Sequence, residues 1–116
     1  MALPKAEEKK KLDALKQLAE ASSKVLNKVT QRLAQIREDR ANGILQVKGV
    51  GGVTHNLRDL QTQLASHIAS LVATVAEDDS LEVVRTRNSR LGLLRAANGL
   101  IDETIKELKS SPVRST

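Results

Sequence analysis

SLEVVRTRNSRLGLLRAANGLIDETIKELKS, residues 80–110, is the stretch on which the reading of the fold turns. Val84, Leu91, Asn98 and Ile105 recur at every seventh residue, and Arg87, Leu94, Ile101 and Leu108 form a companion line. Two lines at that spacing are the a and d positions of a helical packing seam, where apolar side chains interdigitate with a facing helix. Asn98 falls on a central a position. Its amide either fixes register by finding a polar partner or, if the helix rolls slightly, stands at the solvent edge. Gly92 and Gly99 flank this line and either admit a closely packed neighbour or are tolerated on the surface. Asp79 and Glu82 have the spacing of a capping box at the helix start, and Pro112 stops the helix at its far end.

The segment before it has the same character. From Leu60 to Ala76 the chain carries no charge for 17 residues. Leu57, Leu60, Leu64, Ile68, Leu71 and Val75 make one helical stripe, which Ala65, Ala69, Val72 and Ala76 widen. Thr, Gln, Ser and His interrupt the run, so it falls short of the roughly 20 apolar residues of a membrane span. The first segment opens near Pro4 and closes at Asn42-Gly43, a C-terminal helix signal. Leu15, Leu18, Val25, Val29 and Ile36 form its main stripe, and Leu12, Ala19, Leu26 and Leu33 lie beside it. That face is broad enough to touch two neighbours.

These stripes predict an all-α chain with helices at about 4–41, 55–77 and 80–110. It forms a single domain over residues 1–116, with a short tail at 111–116. The expected architecture is an elongated three-helix bundle; a helical hairpin with coiled-coil-like packing, completed by other chains, is the rival. Residues 42–54 read as a Gly/Val-rich loop holding four of the six glycines. Thirteen residues are long for a helix-to-helix connection, which usually takes about 2–8. Ile44, Leu45, Val47, Val50 and Val53 make this loop unusually apolar. It is expected to pack across the bundle end, form a small hairpin, or meet a partner.

Composition narrows the chemistry. The chain of 116 residues has no Phe, Trp, Tyr or Cys, and one Met. Disulfides, thiolate nucleophiles and cysteine-bound zinc are therefore excluded. So is any aromatic platform for stacking nucleic-acid bases. Small aliphatic cores without aromatics bury little area per residue, which favours assembly with other chains. The net charge of +5 is uneven: residues 1–41 carry +4, residues 42–80 carry −2, and residues 81–116 carry +3.

No catalytic constellation emerges from the motifs. Lys48-Gly-Val-Gly-Gly-Val-Thr54 lacks the glycine order of a phosphate-binding loop. His55 and Asp59 are spaced as one edge of a metal site, but two ligands do not complete one. His67 reads as a boundary histidine. No GxSxG motif or convincing nucleophile–His–carboxylate set is present. The expectation is a non-enzymatic chain without cofactor, metal or small-molecule substrate. It would act as a structural or adaptor subunit through helix–helix association, with itself or with other proteins. The expected contacts are the seam of Val84, Leu91, Leu94, Asn98, Ile101, Ile105 and Leu108, together with the apolar loop. The alternative is a basic nucleic-acid-associated protein making sequence-independent phosphate contacts through Lys9, Lys10, Lys11, Arg85, Arg87, Arg90 and Arg95. The same residues suit an acidic partner helix, which is preferred because the four arginines share a segment with the seam. A membrane-surface role ranks last, since the Lys-rich first helix lacks Trp or Phe anchors. Ser111-Pro-Val-Arg114 matches a short proline-directed kinase pattern. With no signal peptide read at the start, an intracellular and cytoplasmic location is expected, the nucleus remaining open.

Overall fold

Asn42 and Gly43 end the first helix as their types suggest. The Asn42 N–H donates to the Glu38 carbonyl at 3.0 Å and the Gly43 N–H to the Arg40 carbonyl at 3.1 Å. Gly43 adopts φ +68°, the left-handed region that glycine enters without Cβ strain. The chain then reverses and reverses again. The computed structural model describes residues 5–43, 47–76 and 78–110. Its helices are α1 (Lys5–Ala41), α2 (Val47–Thr74) and α3 (Leu81–Ser110), each packed against both others in an up-down-up bundle. Among the described residues there is no strand. The bundle is a rod of 66 × 20 × 17 Å.

The core is aliphatic throughout. Leu15, Val25, Val29 and Ile36 of α1 join Leu57, Leu60, Leu64 and Leu71 of α2 and Leu91, Leu94, Ile101, Ile105 and Leu108 of α3 in one cluster. Fully burying a Leu or Ile contributes roughly 1.5–3 kcal/mol, so this cluster is the main force holding the rod together. Ser22 is its buried polar side chain, and its Oγ donates to the Ala19 carbonyl at 3.1 Å. A residue that small lets neighbours approach, and its hydroxyl is satisfied by its own helix.

Three expectations change here. The stretch 42–54 is not a loop as a whole, because α2 begins at Val47 and runs through Gly49, Gly51 and Gly52. Glycine weakens a helix but does not forbid it. The α2 stripe also starts earlier than expected, with Val53 packed on the core four residues before Leu57. The end of α2 likewise falls at Thr74, earlier than 77.

The cap of α3 is Ser80, one residue later than the Asp79–Glu82 pair implied. The Val83 N–H donates to Ser80 Oγ at 3.3 Å, and the Val84 N–H to the Ser80 carbonyl at 3.0 Å. Asp79 instead binds the preceding turn, accepting from the Ala76 N–H at 2.6 Å.

Finally, the buried line of α3 is rotated from the heptad reading. Val83 and Ala97 are buried where Val84 and Asn98 were expected, and those two are half-buried. Val83 and Ala97 lie beyond the d line on the side away from a, so a helix wedged between two neighbours here buries a broader face centred on the d line. Asn98 therefore takes the solvent-edge position.

Candidate functional site

The parallel course of α1 and α3 is fixed by polar ties along their length. Lys11 Nζ donates to both carboxylate oxygens of Asp79, at 2.5 and 2.6 Å, and Ser80 Oγ donates to Glu8 Oε1 at 2.7 Å. Midway, Arg90 reaches Ser23 Oγ at 3.4 Å, and at the far end Arg40 pairs with Glu107 at 3.6 Å. Across the other side of α3, Asp102 accepts from Gln61 at 2.7 Å and from Arg58 at 3.4 Å. The Lys11 ammonium, and after it the Ala76 amide, holds the Asp79 carboxyl below its ordinary value.

The predicted seam lies inside the chain. Leu91, Leu94, Ile101, Ile105 and Leu108 are all buried in the chain's own core, with Val84 and Asn98 at its edge. A partner could reach the buried five only by opening the bundle. Of the predicted loop contacts, Ile44 and Leu45 lie outside the described residues. Val47 and Val50 belong to α2, and Val53 packs partly buried on the core. Ser111 to Arg114 also lie outside the described residues.

The surface of α3 offers a different feature. Leu93 is 54% exposed and Leu100 is 53% exposed, seven residues apart on the face turned away from the core. Between and beside them stand Gly92, Ala96 and Gly99, all exposed. A Cβ added at either glycine would meet nothing within 4 Å, so neither glycine admits a neighbour within this bundle. Shallow clefts adjoin both leucines along the α1–α3 groove. Leu93 borders one with Leu12, Lys16, Ala19 and Ser89, and Leu100 borders the other with Leu33, Arg37, Glu103 and Glu107. Sequence reasoning missed this face because Leu93 and Leu100 fall off the a and d lines. Their own seven-residue spacing beside Gly92 and Gly99 was the available signal.

The basic residues do not converge on one patch. At about 100° per residue, Arg87 points opposite to Arg85, while Arg90 and Arg95 lie on the two flanks. Arg90 is engaged with Ser23 and Lys11 with Asp79, while Lys9 and Lys10 are exposed. The parallel helices do bring Lys9, Lys10 and Arg85 towards the same end of the rod, where Lys11 meets Asp79 and Glu8 meets Ser80.

His55 and Asp59 sit 3.7 Å apart, both largely exposed, and among the described residues no cluster of three metal-ligating side chains occurs. Among the same residues no helix is long and apolar enough to cross a membrane. No family model, no characterised protein and no solved structure matches the chain.

Proposed function

We propose that the chain is a non-enzymatic structural or adaptor subunit that acts by helix–helix association through the exposed face of α3. The observation that carries this reading is the pair Leu93 and Leu100, more than half exposed beside Gly92, Ala96 and Gly99. Single exposed leucines need no explanation, but two in register beside clefts form a strip that water solvates poorly. Association would bury that strip while the core seam stays intact. The test is sedimentation of the fluorescently tagged chain in extracts of its native source. The wild type should travel in species larger than the tagged monomer. Leu93→Glu/Leu100→Glu, which leaves the core untouched, should shift it towards the monomer. A wild-type chain that sediments as a monomer in the extract overturns the reading.

A second reading rests on the gathering of Lys9, Lys10 and Arg85 towards one end of the rod. Contacts of that kind would be to phosphates alone, and strongest at low salt. Absence of binding to duplex or single-stranded nucleic acid at about 50 mM salt eliminates it.

A further inference from the structure

The exposed face of α3 complements itself when read backwards. Take the direction of Ala96 as a midline: at about 100° per residue, Arg85 and Glu107 lie within about 20° of it, eleven positions to either side. Ser89 and Glu103 lie equally near, seven positions to either side. Leu93 is matched at three positions by Gly99, and Leu100 at four positions by Gly92. All of these residues are exposed.

We infer that this face binds a second copy of the chain, with the two α3 helices antiparallel and a two-fold axis through Ala96. Each residue before Ala96 then meets the residue equally far after it on the other copy. Leu93 seats over the partner's Gly99, and Leu100 over the partner's Gly92. Arg85 faces the partner's Glu107, and Ser89 offers its hydroxyl to the partner's Glu103. Because the contact is isologous, every pair occurs twice and the assembly closes at two copies.

Two observations select this occupant. The first is charge order: within about 20° of the midline the face carries Arg85 towards the start of α3 and Glu103 and Glu107 towards its end, with Glu82 about 40° to one side. An antiparallel copy pairs opposite charges, whereas a parallel copy stacks Arg85 on Arg85 and Glu107 on Glu107. The second is the glycines. Glycine weakens a helix interior relative to alanine, and nothing in the single bundle comes near enough to Gly92 or Gly99 to require it. The second copy supplies the requirement, since each notch receives a leucine.

This pairing rests on the association reading above and names its partner and face. The chain has no cysteine, so Ala96→Cys places one thiol per copy on the axis, within reach of its counterpart. Mild oxidation of the purified full-length Ala96→Cys variant at about 100 µM should convert most of it to disulfide-linked dimer. Ala73→Cys, exposed on the back of α2, should stay uncrosslinked. In sedimentation, Arg85→Glu and Glu107→Arg should each raise the dimer Kd about tenfold, and the double swap should restore it to within about threefold of wild type. Gly92→Leu, for which the monomer has room, should abolish the dimer while helical circular dichroism is unchanged. A chain that stays monomeric, and whose Ala96→Cys variant does not crosslink, overturns the pairing. If native extracts still hold it in larger species, the association reading survives with a different partner. A dimer that ignores the charge swap and crosslinks equally through position 73 overturns the face and register while leaving self-association standing.

Discussion

Asp79 shows how much one side chain can organise. Its carboxylate receives Lys11 from α1 and the Ala76 amide from the turn after α2, just before α3 begins. Both donors favour the charged form, so its pKa is lower in the folded chain than in the unfolded one. Stability from this group is present above its unfolded value of about 3.8 and is lost as pH falls through the folded value. Asp79→Asn should therefore lower the melting temperature at pH 7, and the gap from wild type should close as the pH is taken below about 4. Thermal unfolding followed by circular dichroism from pH 7 to 2 reads both. The sequence marked Asp79 as part of a helix start, and the local spacing was informative. Lys11 was invisible to that reading because it lies 68 residues away. Which of two adjacent polar residues caps a helix depends on backbone geometry at the turn, and Ser80 prevailed.

At the scale of elements, periodicity carried most of the information. The main stripes of α1 and of the later part of α2 appear in the core at the expected positions, because a helix spacing of three and four residues has one geometric meaning. Ala65, Ala69, Val72 and Ala76, read as widening the α2 stripe, are instead exposed. The start of α2 was harder to read. Gly49, Gly51 and Gly52 argue locally for a loop, and only packing of Val53 against the core argues otherwise. Nothing stands within 4 Å of a Cβ built at Gly51 or Gly52, so a methyl group there meets no obstacle. Gly51→Ala and Gly52→Ala should each stabilise the chain by about 0.5–1 kcal/mol in denaturant titrations. Were either glycine held at positive φ in a loop, its substitution would destabilise instead. The exposed face of α3 has the opposite legibility. Heptad counting on that helix locates Leu91, Leu94, Ile101, Ile105 and Leu108 in the core but misses Val83 and Ala97, and the face that carries the association reading also lies outside the count.

For the whole molecule, shape was readable and partnership was not. A 37-residue first helix sets the length, and the Cα radius of gyration of 18.2 Å exceeds the roughly 13 Å of a globule of this size. Without aromatic side chains the rod is only 17–20 Å thick, and a single aliphatic cluster joins all three helix pairs. Leu94, fully buried in α3, belongs to that shared cluster. Leu94→Ala should cost about 2–5 kcal/mol, a large part of the roughly 5–15 kcal/mol typical of a domain. The loss should appear as one cooperative transition at lower denaturant, not as release of α3 alone. What a sequence cannot display is which outward face meets another molecule, since exposure is known only once the inward faces are paired.

The odd number of helices among the described residues has a mechanical consequence. Because α1 and α3 run parallel, Lys5 and Ser110 stand at opposite ends of the bundle. Tension applied between them acts along the helices and loads the three interfaces in shear. Contacts sheared lengthwise must slip together, whereas contacts peeled from one end yield in turn. Pulled along its chain, the rod is a strut rather than a zipper.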